Sequence, residues 1–362
     1  MTVLQFSWAS NEEVERINEL ARVDNIQYSH LPISKTTPSG VSSLQAVFRN
    51  RKQVLSIIKH HQIDTVIPRS TMPALVILAV FKQAKALGCE IIFDADGLPI
   101  QERLDQGFLK KNSIYHRILA GVERKILHKS DKVITRTQRA IDWHLLKSPD
   151  LNSSKFFVVG NGRDSDKFYF DKKARTDIRK KLEMAEGELL IIHSGSLGPA
   201  YSIELLVDIL IGLKSRGIFF RMVFLTRDSS YLDGKIPEVL KPQVTPCQVS
   251  FKEIPGYLSA ADLGISLRTP SPAVRGILPI KVGEYLMCGL PILISSGIGD
   301  LDVQLKDHEA CFFLNHLDYA LDDALFSWLK RIMDLDRELI QEEGRALFSL
   351  EKTLDSYQSA LT

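Results

Sequence analysis

The strongest constraint on the fold is an alternation of short apolar, β-rich runs with amphipathic helical segments, which occurs twice along the chain. In the first series, the runs at Val3–Phe6, Glu90–Phe93 and Lys132–Thr135 predict strands. In the second series, Leu189–His193, Val249–Phe251 and Leu263–Leu267 predict strands, and Ser202–Ser215 predicts a helix. The tail from Ala320 to Leu361 is predicted to be mostly helical. Strands that alternate with helices of about 10–15 residues indicate parallel βαβ units. We therefore predict an α/β protein with two doubly wound, Rossmann-like domains.

The break between the two series predicts the domain division. Gly160-Asn161-Gly162 is followed by the charged run Arg163–Arg179, which is typical of a linker. We predict an N-terminal domain over residues 1–165, a C-terminal domain over 166–340, and a final helix over 341–362 that packs back on the first domain. Ligands of such sheets bind outside the carboxyl ends of the strands, so two facing domains predict an interdomain cleft as the site of chemistry.

Composition excludes several classes of protein. The 362 residues are 44% hydrophobic and 25% charged, which excludes collagen-like and largely disordered chains. The four cysteines are far apart and form no CxxC pair, so a reduced, cytoplasmic setting is favoured over a disulfide framework or a zinc ribbon. The N-terminus lacks a signal-peptide pattern, and the longest apolar run, Pro73–Phe81, is too short to span a bilayer.

Charge is distributed unevenly between the two halves. Residues 1–170 hold 24 Lys+Arg and 17 Asp+Glu (24 − 17 = +7), and the remainder holds 22 and 27 (22 − 27 = −5). The basic segment Ser113–His128 fits two interpretations: peripheral docking on an anionic membrane surface, or a surface helix whose apolar face packs on the sheet. The aromatic and basic pattern typical of nucleic-acid binding is absent, so no nucleic-acid partner is expected.

Residues 249–294 contain the most informative pattern. A loop rich in proline and bearing Arg275 leads into a helix whose first turns hold Lys281 and Glu284. Helix starts and cations bind phosphate, and a carboxylate accepts hydrogen bonds from ribose hydroxyls. The pattern alone fits either a nucleoside-diphosphate pocket or an ordinary βα loop whose basic residues face water.

A more specific resemblance rests on several motifs together. Residues Pro279–Pro291 read P-x-K-x-x-E-Y-L-x-x-G-L-P, and Ala261–Gly264 precede them. Four shorter motifs lie earlier in the chain, at Phe93–Gly97, Ser130–Ile134, Gly160–Asp164 and Gly195–Gly198. In order and spacing, the set resembles family 4-type glycosyltransferases with the GT-B fold.

The resemblance implies a reaction and its partners. It implies retaining transfer of a sugar from a nucleotide-sugar donor to a glycan or lipid-linked acceptor, in the synthesis of cell-surface polysaccharides or glycoconjugates. It implies no cofactor and no bound metal, and a protein that is cytoplasmic or peripheral on the inner face of a membrane.

The resemblance also implies site residues. In the donor domain, Glu284 would bind the ribose, and Lys281 would face the diphosphate with Arg275 and the backbone of Gly276, Ile277 and Leu278. Gly195 and Ser196 would approach it from the other side, and Asn161 would lie near the floor of the cleft. Asp94 and Asp96 are candidate acceptor contacts, and a metal site at this pair is the less favoured alternative. His193, at the end of a predicted strand, is a phosphate contact, an acid or, as the favoured alternative, a hydrogen-bonded structural histidine. The catalytic residue is not identified.

Three departures from the family pattern leave other functions open. The first glutamate of the family's E-x7-E motif falls at Gly276, and the usual cations after the glycine loop are replaced near Ser196 and Tyr201. The glycine pair of the acceptor loop is missing from Phe6–Ser10. The alternatives are a sugar-nucleotide epimerase or hydrolase on the same fold, and a non-catalytic nucleotide-sugar or glycan-binding protein.

Overall fold

The computed structural model describes residues 1–33, 39–316 and 323–362, and only the backbone of residues 39–43. The described chain forms two compact units. The first unit contains Met1–Ile100, Leu109–Ile134 and Ser148–Phe156, and the second contains Gln101–Phe108, Thr135–Lys147 and Phe157–Thr362. No single cut in the sequence separates them, because two short segments from the first half of the chain belong to the second unit.

The elements of the first half follow the predicted alternation. In chain order they are β1 (Thr2–Ser7), α1 (Asn11–Val23), β2 (Gln27–Pro32), α2 (Ser39–His60), β3 (Thr65–Val66), α3 (Thr71–Ala86), β4 (Glu90–Asp94), α4 (Pro99–Asp105), α5 (Ile114–Lys129), β5 (Lys132–Thr135), α6 (Gln138–Lys147) and β6 (Phe156–Val158). Strands β1 and β2 pair in parallel, and β3, β4, β5 and β6 form a second sheet in that order. None of the helices in the described ranges combines the length and the apolar character that crossing a lipid bilayer requires.

The elements of the second half build a larger sheet. In chain order they are α7 (Lys172–Lys181), β7 (Leu189–Ser194), α8 (Ile203–Ser215), β8 (Phe220–Leu225), β9 (Val244–Cys247), α9 (Ile254–Ala260), β10 (Leu263–Ser266), α10 (Ile280–Met287), β11 (Ile292–Ser295), α11 (Leu301–Gln304), β12 (Cys311–Leu314), α12 (Asp323–Arg331), α13 (Arg337–Phe348) and α14 (Leu350–Leu361). Six parallel strands run in the order β12-β11-β10-β7-β8-β9.

The central strands of this sheet are covered on both faces. Every residue of β7 and of β10 is buried, as expected for parallel strands between two helical layers. One apolar cluster joins the sheet to α8 and α12 through residues such as Leu210 and Trp328. The other joins it to α9, α10 and α13 through residues such as Tyr285 and Phe348. The second unit is therefore a three-layer, doubly wound domain.

The charged run after residue 163 is not an open linker, because α7 packs on the sheet domain. The carboxylate of Asp262, at the start of β10, is 1% exposed and accepts from Arg175 at 2.5 Å and from Arg179 at 2.8 Å. It also accepts from the backbone N–H of Leu190. A buried carboxylate needs such partners, so the two arginines fix the helix that follows the turn at residues 160–163.

The other differences from the sequence prediction lie at the edges of the sheets. Strands β2 and β12 were not predicted, and the strand expected at Val249–Phe251 is wrong, because β9 ends at Cys247 and residues Phe251–Glu253 form a 3₁₀ turn. The helical tail predicted from Ala320 is confirmed from Asp323 onward, and its first residues lie outside the described ranges.

Candidate functional site

The order of strands in the second unit defines where a ligand can enter. The chain leaves β7 toward β8 on one side, and β10 pairs with β7 on the other side. The loops after β7 and β10 therefore diverge, and they leave a crevice at the carboxyl edge of the sheet. This switch point is the usual ligand site of doubly wound sheets.

Four side chains converge at this crevice, which we call the switch-point cluster: His193, Tyr201, Arg268 and Lys281. The amine of Lys281 lies 3.3 Å from Nε2 of His193 and 4.3 Å from the centre of the Tyr201 ring. The guanidinium of Arg268 lies over the same ring at 5.1 Å, and the His193 ring packs edge-on against Tyr201. Two cations thus lie on one tyrosine, beside a buried histidine.

The glycine loop closes one side of this cluster. Gly195 has φ +119°, a backbone conformation that favours glycine. A Cβ at Gly195 would lie 3.5 Å from the amine of Lys281. The carbonyl oxygen of Ser196 is 3.4 Å from Nε2 of His193. Gly195 thus lies beside Lys281 and Ser196 beside His193, and the approach of both residues to a diphosphate stays a prediction.

The cluster is electrostatically poised for an anion. Burial, together with the nearby charge of Arg268, lowers the pKa of Lys281 from 10.5 to about 7, although Glu284 opposes the shift. Burial and the charge of Lys281 lower the pKa of His193 well below its usual value. Cations that are desolvated beside one another gain strongly when an anionic ligand binds between them.

Helix α10 brings two of the predicted residues into this region. The helix starts at Ile280 after Pro279, whose side chain makes no capping hydrogen bond, and Lys281 lies in its first turn. Its first N–H groups add partial positive charge to that of Lys281. Glu284, three residues later, is buried, and its Oε1 accepts from Nε of Arg163 at 2.7 Å.

The loop before α10 directs Arg275 to a different surface. Its guanidinium lies 5.9 Å from the centre of the Trp143 ring, and both side chains border an open cleft of about 410 Å³. The carbonyl oxygen of Arg275 accepts from Oγ1 of Thr137 at 2.6 Å. Gly276 is buried, and Ile277 and Leu278 are half-buried in the apolar core around α10. The assignment of Arg275 and this backbone to the diphosphate stays a prediction.

The turn that carries Asn161 packs against the C-terminal helices. The N–H of Gly160 donates to Ser356, and the N–H of Gly162 donates to Oγ1 of Thr353 at 2.7 Å. A Cβ at Gly162 would lie 2.1 Å from the carbonyl oxygen of Ser349, so only glycine fits. Asn161 is half-buried in this turn, and its contact with a donor stays a prediction.

In the first unit, Asp94 and Asp96 lie together at the end of β4. Oδ1 of Asp94 accepts from the N–H of Asp96 at 3.0 Å, and Arg69 donates to Oδ1 of Asp96 at 2.8 Å. Asp94 is 3% exposed, whereas Asp96 is half-buried with φ +51°. Asp96 and Arg69 are therefore the polar groups of this turn that a ligand could reach.

Comparison with solved structures extends over nearly the whole chain. A glycosyltransferase from Rickettsia africae matches 100% of this chain and 91% of its own, at 15% identity and a TM-score of 0.69. HepE of Anabaena, solved in complex with UDP, matches 100% and 99%, at 14% identity and a TM-score of 0.70. WaaG, a glycosyltransferase involved in lipopolysaccharide biosynthesis, matches 99% and 98%, at 17% identity and a TM-score of 0.68. The chain has the GT-B fold.

At the level of amino-acid sequence, this GT-B chain is distantly similar to a curated protein. The chitobiosyldiphosphodolichol beta-mannosyltransferase of Candida albicans is 23% identical over 239 residues, which are 62% of this chain and 50% of that protein. The chain thus spans about half the length of the curated relative that it matches. No protein-family profile matches it.

Two residues of this GT-B chain's site were missed by sequence reasoning. Arg268 follows the predicted strand Leu263–Leu267 directly, and its position after a central strand was the available signal. Arg163 was treated as part of a charged linker, because its partner Glu284 is 121 residues away in the sequence. Only the fold brings Arg163 and Glu284 together.

Proposed function

We propose that this chain is a glycosyltransferase that moves a sugar from a nucleotide-sugar donor to a glycan or lipid-linked acceptor, with retention of anomeric configuration. The observation that carries the proposal is the switch-point cluster, in which Lys281 and Arg268 flank Tyr201 beside the glycine loop. Two structures of HepE, in complex with UDP and with UDP-glucose, match 99% or more of this chain, which supports a uridine nucleotide as the first donor to test.

The chemistry of sugar transfer is favoured by such a cluster. The bond between the anomeric carbon and the diphosphate breaks, and negative charge develops on the leaving nucleoside diphosphate. Fixed donors stabilise that charge best when they are already oriented and desolvated. In this proposal, Lys281, Arg268 and the first N–H groups of α10 supply the stabilisation, and no metal ion is required.

The missing cations after the glycine loop are compensated in this proposal. The cations expected near Ser196 and Tyr201 are replaced by Arg268 and Lys281, which reach the ring of Tyr201 from the loop after β10 and from α10. The carboxylate lost at Gly276 has no such replacement in the proposal, so the identity of the donor sugar is left to experiment.

The acceptor side is proposed to involve the turn after β4. Asp96 is half-buried and held by Arg69, so its carboxylate can accept from an acceptor hydroxyl. A lipid-linked acceptor would suit a membrane surface, and α5 exposes Arg117, Arg124, Lys125 and Lys129 toward solvent. We propose peripheral attachment through this helix and a role in cell-surface polysaccharide synthesis.

The test begins with donor binding. A thermal-shift panel of nucleoside diphosphates and nucleotide sugars should show one base raising the melting temperature, because a ligand that binds the native state stabilises it by mass action. Lys281→Met should abolish that shift. Lys241→Met removes an exposed lysine of the same unit, paired with Glu238, and should leave the shift unchanged. A panel with no stabilising nucleotide would refute the proposal.

The products then separate the competing reactions. Incubation with the selected donor and an extract of lipid-linked glycans should give a glycosylated acceptor. Epimerised donor would instead support the epimerase alternative, and free sugar would support a hydrolase. The anomeric configuration of the product, measured by NMR, decides between retention and inversion, and unchanged turnover in EDTA is expected.

A further inference from the structure

The ion pair between Arg163 and Glu284 is an unexpected feature of the candidate donor site. Glu284 is the residue that would bind the ribose, yet its side chain is 8% exposed, and its Oε1 already accepts from Nε of Arg163 at 2.7 Å. A cation thus pairs with the carboxylate that the donor is proposed to use.

Arg163 is well anchored for a positioning role. Its N–H donates to the carbonyl oxygen of Phe348 at 3.0 Å, and its own carbonyl oxygen accepts from the N–H of Leu350 at 2.7 Å. Its guanidinium lies 5.6 Å from the centre of the Phe251 ring. The side chain is thus fixed at its base by α13 and α14 and at its head by the ring and by Glu284.

The consequence for Glu284 follows from its acceptor capacity. An ionised carboxylate offers about four acceptor positions, and Arg163 occupies one of them on Oε1. The ion pair offsets the cost of burying the carboxylate and restricts its rotation. Among the described residues, Arg163 is the hydrogen-bond donor to this carboxylate, and its other positions can accept from two hydroxyl donors with fixed spacing, such as a vicinal diol.

We infer that Arg163 is a positioning residue that holds the Glu284 carboxylate in place for the 2′- and 3′-hydroxyls of the donor ribose. This inference rests on the proposed function, because it assumes that a ribonucleotide occupies the switch point. Arg163 acts through Glu284 and does not touch the reacting atoms. Its contribution is therefore confined to ligands that carry both hydroxyls.

The experiment compares dissociation constants for a ribonucleotide and its 2′,3′-dideoxy analogue, measured by calorimetry with uridine, guanosine and adenosine diphosphates. For the base that binds, Arg163→Met should weaken the ribonucleotide about 10- to 100-fold, as expected for hydrogen bonds to a charged group. The dideoxy analogue, which is already weaker with the unmodified protein, should change less than about twofold. Arg163→Lys should restore part of the ribonucleotide affinity.

A matched control keeps the test specific. Lys167→Met removes another cation of the same turn, which pairs with Asp164 on the surface, and it should change neither dissociation constant. If Arg163→Met does not fold, Arg163→Lys carries the same comparison, with a smaller loss restricted to the ribonucleotide. Circular dichroism verifies the fold of each variant.

Each remaining outcome overturns the inference in a recognisable way. Equal weakening of the ribonucleotide and dideoxy forms would show that Arg163 acts on the phosphates or on the fold. Unchanged affinity of Arg163→Met for the ribonucleotide would show that Glu284 needs no positioning. Failure of the unmodified protein to bind any of the three diphosphates would instead refute the proposed function itself.

Discussion

Donor binding should be linked to protonation of Lys281. Its pKa is lowered from 10.5 to about 7, so the amine is half charged at pH 7 and almost wholly neutral at pH 9. A diphosphate binds the charged form and brings its own negative charge, which favours the proton on Lys281. The complex should therefore hold a proton that the free protein loses above pH 7.

The magnitude follows from the pKa. If only the charged amine binds, the dissociation constant scales as 1 + 10^(pH − 7). This factor is about 2 at pH 7 and about 100 at pH 9, so affinity should fall roughly 50-fold over two pH units, equivalent to about 2.3 kcal/mol. Burial and the charge of Lys281 lower the pKa of His193 well below its usual value, so this imidazole stays neutral throughout the window.

The assay is calorimetric titration with a nucleotide sugar in buffers of different ionisation enthalpy. A nucleotide sugar is preferred because its diphosphate is esterified at both ends and carries no proton that titrates near pH 7. Proton uptake should be about half a proton per ligand at pH 7 and approach one at pH 8.5. Lys281→Arg should flatten the pH profile, since arginine stays charged. A dissociation constant that is constant from pH 7 to pH 9, without proton uptake, would refute the reasoning.

Three further variants test the contributions of Lys281, Arg268 and Asp262. The pKa of Lys281 is lower in the folded than in the unfolded chain, so the free energy of unfolding should rise with pH between about 7 and 10 and be lowest below pH 7. Lys281→Met should therefore raise the melting temperature at pH 7 and lose that part of the pH dependence, as measured by calorimetric unfolding. Arg268→Met removes a charge that lowers the pKa of Lys281, so the midpoint of the donor-binding pH profile should move above 7 while affinity at pH 6 falls about tenfold or more. Asp262→Asn leaves Arg175 and Arg179 without their buried carboxylate and should cost about 3–5 kcal/mol in urea unfolding, with donor affinity unchanged in the folded fraction.

The sequence predicted the layered fold because the central strands have an unmistakable pattern. The fully buried strand β7 and the helical pattern of α8 reappear within one residue of their expected bounds. The edge strand β2 was missed because only one of its six residues is buried, so it lacks the apolar run of a central strand. The edge strand β12 was missed because it has only four residues, of which one is buried. The pattern that predicts a strand is strongest where both faces are covered.

The candidate site was predictable only where one segment carried its own signal. Lys281 and Glu284 lie one turn apart on α10, and their spacing in a helix start was enough to single them out. Arg268 and Arg163 reach the same region from separate loops. The position of Arg268 after a central strand was its one signal, and Arg163 had no pattern that distinguishes a ligand contact from a solvated surface.

The lowered pKa of Lys281 and the burial of the Glu284 carboxylate have a common explanation in the proposed function. A buried lysine whose pKa is lowered to about 7 destabilises the fold at neutral pH. Glu284 is likewise a buried charge that needs Arg163 to be tolerated. Neither residue increases the stability of this domain as an apolar side chain would. Their unfavourable placement at the sheet's switch point is therefore best explained by a ligand that supplies the missing negative charge and the missing hydroxyl donors.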